Sequence, residues 1–532
     1  MNTAKVFRAT LLATLLAAGL GEVAASDYTY VAQAGDTLEG IARALLKHPG
    51  DWAGLQKLNA VAEPRHLPVG AAIRIPRAWL RVDVAPARVG GVQGQALLDG
   101  KALATGGMVR PGEEIATGDD GFVTLVLADG SNLVLQPRSR LKVDSLQRTR
   151  GVAVYRTRLN LLSGRVDNEV AKQPEGTSGY QVRTPAALIA VRGTGFRVAA
   201  DGAESRAEVT EGVVSAGKTS GNRHVVPVRA GEGLVLAASR PVGAAVPLLP
   251  APSLAALPEP WGKVVLRLPF PAVAGAVAYR AQLSKDAQFR QVVAEGVFKS
   301  NEIKFSSVED GPLWLRLRAV AADGLEGRDT VLALTVKARP EPPFPSRPAA
   351  GGKLRGKAVE FAWSGAQEAA GYVLLLSRGG QLVRESGLLK DTLFQTSDKL
   401  PPGDYVWRVA SVRADGDRGP FGEAVAFSLK PLPPNPEPPK TEGSAVQFAW
   451  AAEPGQRFEF EVAKDAGFTD LLDKQQLTEP RVSLPRPSGG TYFMRVRATD
   501  SDGFVGPWTA TQRFDVPSRP WWLLLLLLPA VI

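Results

Sequence analysis

The chain has 532 residues, 22% of them charged and 45% hydrophobic, an ordinary globular balance long enough for about three to five domains. It has no cysteine, which excludes disulfides, thiolate metal sites, cysteine nucleophiles and a lipid-modified N-terminal cysteine. The net charge is +10, but the basic residues are scattered rather than blocked, so a solvated basic surface with weak attraction to anionic wall polymers or lipid is expected, and no nucleic-acid partner.

Residues 1–25 read as a secretory signal. Lys5 and Arg8 precede the apolar run ATLLATLLAAGL, and Val23, Ala24 and Ala25 supply the small-residue cleavage pattern. The run is short and interrupted by glycine, so cleavage after Ala25 is expected over a membrane anchor. The expected location is the periplasm or cell envelope.

Residues 28–76, opening YTYVAQAGDTLEGIARALL and closing LPVGAAIRIP, read as a strand–helix–helix–strand unit. Asp36 is the expected N-cap of the first helix, with Glu39 completing a capping box. Leu38, Ile41, Ala42 and Leu45 fall on one helical face. His48, Pro49 and Gly50 end that helix. Asp51 is placed to cap a second one, with Trp52, Leu55 and Leu58 facing inward and Asn59 closing it in a left-handed conformation. Ala71, Ile73 and Ile75 alternate as the closing strand. In a unit this small most of these side chains must serve packing.

This block resembles the LysM family of glycan-binding modules. The resemblance implies a shallow groove for peptidoglycan or another N-acetylglucosamine glycan, gripped largely through backbone groups. It places Gly35, Asp36, Thr37 and Leu38 on one rim, and Asn59, Ala60 and Val61 on the other. The stretch from Ile41 to Asn59 is longer than the commonest family spacing, and a single module without an aromatic sugar platform implies weak binding.

Residues 80–240 are strand-rich. In FVTLVLADGSNLVLQ, Asp129 and Gly130 between two alternating runs predict a two-residue hairpin. Further strands are expected at 159–166, 180–184, 187–191, 196–199 and 206–214. Arg192, Gly193, Thr194 and Gly195 lie between two strand runs without a following helix, which predicts a tight β-turn rather than a phosphate loop. The blocks GEEIATGDDGFVTLVLADGSNLVLQPRSRL, LNLLSGRV, VRTPAALIAVRGTGFRV and VTEGVVSAG resemble, in this order, the FecR domain. That resemblance implies a small all-β unit whose strands coil in a solenoid-like way.

Proline-rich stretches at 241–260, 338–352 and 431–441 are expected to act as extended spacers. Between and after them runs a repeat at 261–337, 353–430 and 442–517. Asp323, Asp415 and Asp502, each followed by glycine, are 92 and 87 residues apart, and Arg316, Arg408 and Arg495 keep the same spacings. KDAQF at 285–289 returns as KDAGF at 464–468. Alternating runs of this density over about 90 residues predict two-sheet sandwiches. The early Trp363 and Trp450 and the late Tyr405 and Tyr492 resemble fibronectin type III domains. Repeat 1 departs from that pattern, with Leu313 at the tyrosine position and no early tryptophan.

The twelve apolar residues 521–532 reach about 18 Å as a helix, short of a bilayer core of about 30 Å. Two readings of the segment 520–532 stand open: a shallow membrane anchor or partner-docking tail, with Trp521 and Trp522 suited to a membrane interface, or a disordered terminus.

The fold expected is thus mainly β and multidomain: a small βααβ module, a β-rich solenoid-like domain, and two to three β-sandwich repeats. No catalytic constellation is present. His48, His66 and His224 share no metal-ligand spacing, and no nucleophile elbow occurs. The function expected is that of a non-catalytic envelope protein, without cofactor or metal. It would bind peptidoglycan and present its β modules to envelope protein partners. The alternatives are a FecR-type periplasmic regulator and, less favoured, a peptidoglycan hydrolase. A regulator that reaches a cytoplasmic sigma factor needs a folded domain ahead of its apolar run, where this sequence has eight residues.

Overall fold

A computed structural model describes residues 27–172, 179–191, 193–219, 224–356, 358–397, 400–432 and 435–518. The signal at 1–25, Arg192 and the apolar segment 520–532 lie outside the described residues. The chain divides into two compact units. One holds residues up to Glu259 together with Val265–Thr335, and the other holds Pro260–Val264 with residues from Val336 onward.

The first unit begins with the predicted βααβ block. Tyr28–Val31 pairs antiparallel with Ala72–Ile75, and helices Leu38–Leu45 and Trp52–Asn59 lie between them. Leu38, Ile41, Ala42, Leu55, Ile73 and Ile75 form its core, as the spacings predict. Three local expectations are corrected. Thr37, not Asp36, is the N-cap, its hydroxyl accepting from the Gly40 amide, because Asp36 is held by other donors and Glu39 reaches Arg43 instead. Asp51 precedes the second helix without a side-chain cap, since a 3-10 turn over Pro49–Asp51 already leads into it. Ala60, not Asn59, takes the left-handed conformation, at φ 49°, because the Asn59 side chain is tied to the closing strand.

From Val82 to Pro247 the strands form one hydrogen-bonded set that closes into a barrel. The chain alternates between two faces, which is the solenoid-like coiling expected. Tyr180–Arg183 and Ala187–Val191 make a hairpin on one face, Gly195–Asp201 and Glu204–Glu211 a hairpin on the other, and Val213–Lys218 and Val225–Arg229 return to the first. The strand Val154–Glu169 serves both faces. Its first half pairs with Arg140–Thr149 and its second with Gly195–Asp201. The change falls at Gly164, φ 88°, where a Cβ would lie 2.5 Å from the Ser139 Cα, so only glycine fits. Aliphatic residues at alternate positions, Leu141, Val143, Leu159, Leu161, Val182 and Ile189 among them, fill the interior.

Two strand expectations are also corrected. The hairpin at Asp129-Gly130 has a three-residue loop rather than two, because the Leu127 amide bonds to the Ser131 carbonyl and Gly130 supplies the left-handed position. The run 206–214 is two strands, broken at Gly212, φ 79°.

All three repeats are two-sheet sandwiches. In repeats 2 and 3 the tyrosine hydroxyls reach back four residues, Tyr405 to the Pro401 carbonyl at 2.6 Å and Tyr492 to the Ser488 carbonyl at 2.8 Å. Repeat 1 keeps the fold with buried Leu313 in that place. The recurring KDAxF segment is a turn. Asp286 and Asp465 accept from the amides that follow them, which folds Phe289 and Phe468 beneath Arg316 and Arg495 at 4.3 and 4.0 Å.

The proline-rich stretches are not free spacers. Val246–Pro247 pairs with the barrel strand Glu232–Ala237, and Leu249 accepts from the Arg328 amide of repeat 1. Pro345–Arg347 is a strand of repeat 2, and Glu437 donates to Ala449 in repeat 3. Proline at a sheet edge loses no ladder bond, so Pro247 and Pro345 can sit in these edge strands.

Candidate functional site

The two predicted rims of the βααβ block come together. The Leu38 amide donates to the Pro64 carbonyl at 2.9 Å, which sets the loop before the first helix against the loop after the second. Within this rim the seven expected residues divide by role. Leu38 is fully buried and serves the core. Asp36 accepts from Tyr30 Oη at 2.8 Å and the Gln33 amide at 2.7 Å, and this bond raises the Tyr30 pKa. Thr37 caps the helix. Asn59 donates to Leu55 and Arg74 carbonyls and accepts from the Arg74 amide. Val61 is half-buried, its carbonyl taken by Gln56 Nε2. Gly35 and Ala60 are exposed, and no described residue bonds to the backbone groups of Gly35 or to the Ala60 carbonyl. The rim therefore offers open backbone groups on a scaffold that the other five residues hold rigid.

A second, larger constellation joins the barrel to repeat 1 inside the same unit. One end of it is apolar: Phe122 and Val134 of the barrel meet Phe289, Val292 and Trp314 of the sandwich. The rest is charged. From the barrel come Arg165, Asp167, Arg197 and Glu208; from the sandwich come Arg280, Glu295, Arg316, Arg318, Glu326 and Asp329. Arg197 pairs with Glu208 at 3.1 Å and Asp329 at 2.9 Å, and donates to the carbonyls of Glu326 and Gly327. Arg318 pairs with Glu326 at 2.8 Å and Asp329 at 2.9 Å. Arg165 reaches Glu295 at 2.5 Å, and Arg316 reaches Asp167 at 2.9 Å. Gln282 donates to Gln136 at 2.7 Å.

The electrostatics follow from burial and neighbours. Burial alone would raise Glu326, but Arg280, Arg318, Arg165 and Arg197 hold it well below the ordinary 4.5. Asp329 is likewise lowered against its burial by Arg318, Arg197 and Arg316. Glu208 has one close arginine and a neighbouring carboxylate, so burial pushes it up to about 7. The two signs oppose each other. Stability from Glu326 and Asp329 is present above their ordinary values and is lost as the pH falls through the folded ones. Glu208 binds its proton more tightly folded than unfolded, so its contribution declines as the pH rises from 4.5 to about 7. Urea midpoints measured across this range are expected to fall on the neutral side, and Glu208→Gln is expected to flatten that fall. An unchanged slope would contradict the assignment.

A cleft of about 210 Å³ opens beside Arg165, Arg197, Glu208 and Glu326. Each carboxylate of the cluster lies within 3.1 Å of an arginine nitrogen, which is the geometry of a joint between domains. Sequence reasoning missed it, because the partners that cross from barrel to sandwich lie more than a hundred residues apart. Arg316 was visible as a repeat landmark, and the alternating charges in RLRAV and GRVDNEV mark outward faces, but nothing in them says that the two faces meet. Among the described residues no group of three or more His, Cys, Asp or Glu could hold a metal ion, and no helix is long and apolar enough to cross a membrane.

Residues 113–215 match the FecR protein family, within the segment that carries the FecR resemblance. No curated protein matches the chain. Among solved structures, a candidate anti-sigma factor from Parabacteroides distasonis ATCC 8503 is similar at 18% identity over 25% of this chain, with a TM-score of 0.21. The alignment spans 59% of that protein's length. Fibronectin(III)-like modules of Clostridium thermocellum CbhA are similar at 14% identity over 33% of this chain and 93% of theirs, with a TM-score of 0.21.

Proposed function

We propose that this is a non-catalytic envelope protein that holds peptidoglycan, or another N-acetylglucosamine glycan, through the rim at Gly35 and Ala60 and presents its FecR-matching barrel beside it. The observation that carries this reading is the meeting of the two loops at the Leu38–Pro64 hydrogen bond, with open backbone groups on either side. Backbone groups suit a repeating acetylated sugar, whose amides and hydroxyls both donate and accept. The FecR match favours a second role, regulation through protein contacts of the barrel, which is compatible with a glycan anchor.

The test is co-sedimentation of the whole chain with purified peptidoglycan. Asp36→Ala and Asn59→Ala are poor probes, because both side chains hold the scaffold. Ala60→Glu places a bulky acid on the open rim without touching the core. Retention of the parent chain with at least about tenfold weaker retention of this variant is expected, about 1.4 kcal/mol of binding. No retention of the parent chain, or equal retention of both, would remove the glycan assignment.

A further inference from the structure

The barrel has two outward faces, and they are treated differently. The face toward repeat 1 has its charges paired and covered. The other is built from Arg140–Thr149, Val154–Glu169, Tyr180–Arg183, Ala187–Val191, Val213–Lys218 and Val225–Arg229, in that order across the sheet. Its first three strands present exposed Arg140, Lys142, Arg156, Arg158 and Arg183. The acids among them are Glu114, bound to Arg140, and exposed Asp144. Lys142, Arg156, Arg158 and Arg183 have no ion-pair partner among the described residues. Asn160 stands opposite both Lys142 and Arg183, and Arg158 is opposite Gln181, so uncharged residues alternate with the cations across the rows. Like charges gathered on one sheet face repel, and among the described residues only Glu114 and Asp144 stand against them.

The next strands change character. Leu188, Val213 and Val225 are 39%, 50% and 53% exposed. The face is thus basic on its first three strands, while the later ones carry these exposed aliphatic residues beside Ser215, Pro227 and Arg229.

We propose that this face docks on an anionic lipid surface, the cations meeting headgroup phosphates while Leu188, Val213 and Val225 enter the headgroup boundary. The unpaired cations match an anionic surface in sign, and the exposed aliphatic residues have a role there that a purely polyanionic glycan would not give them. The proposal is independent of the glycan rim, which lies on a different part of the unit.

Flotation of the full chain with vesicles tests it. Phosphatidylcholine vesicles containing phosphatidylglycerol are expected to carry the protein at low ionic strength and to release it at high salt, whereas phosphatidylcholine alone carries little. Each basic side chain near such a surface adds roughly fivefold to partitioning, so Arg156→Glu with Arg158→Glu is expected to weaken flotation by at least about twentyfold. Both positions are exposed, and an unchanged melting curve confirms the fold of the variant. Absence of flotation on the anionic vesicles would overturn the proposal and leave the face to an acidic protein. Equal flotation on both lipids, or full flotation of the variant, would overturn it by placing the contact in the apolar segment 520–532.

Discussion

Replacing Arg318 with alanine is expected to destabilise the first unit by about 3–5 kcal/mol, the cost of removing one partner from a buried ion-pair network. Arg318 is 1% exposed and ties Glu326 and Asp329, with Asp167 of the barrel at 3.7 Å. Its removal takes one arginine from each of two carboxylates that burial already disfavours, leaving Glu326 to Arg280 at 2.6 Å and Asp329 to Arg197 at 2.9 Å. By contrast the exposed helical pair Arg43–Glu39 contributes about 0.3–0.5 kcal/mol, so Arg43→Ala is the matched control. Urea unfolding of the full chain reads both. An Arg318→Ala midpoint within error of the Arg43→Ala one would mean that the joint is not a stabilising network.

Trp407→Ala is expected to cost the second unit about 3–5 kcal/mol, through lost burial and the cavity left behind. Trp407 is fully buried in repeat 2, edge-on to Phe361 at 5.3 Å and tilted against Trp363 at 6.4 Å, and its Nε1 donates to the Pro348 carbonyl at 3.3 Å. Calorimetry should show the transition of the second unit moving down while that of the first stays in place. A shift confined to the first unit, or none, would contradict the placement of this side chain in the core.

Short-range signals in the sequence carried most of the fold. The helix faces at Leu38, Ile41 and Leu55, the alternation that buries Leu141 and Val143, and the repeat landmarks at Tyr405 and Tyr492 all depend on neighbours a few residues away. Errors arose where two local donors or acceptors compete: Asp36 and Thr37 both suit an N-cap, and the choice falls to Tyr30, which claims Asp36 from the adjoining strand. The rim was legible as a pair of loops, but not which of its side chains were already committed. The joint between barrel and sandwich was not legible, because Arg197 and Asp329 are brought together by the packing of two domains and carry no signature in either segment. The same packing explains why 241–260 reads as a spacer and folds as a sheet edge.

The most direct measurement of the central claim is hydrogen–deuterium exchange of the whole protein with and without a soluble N-acetylglucosamine oligomer. Binding at the rim predicts slowed exchange confined to amides within residues 33–40 and 59–67, with the barrel and sandwiches unchanged. Protection elsewhere, or none at saturating oligomer, would contradict it.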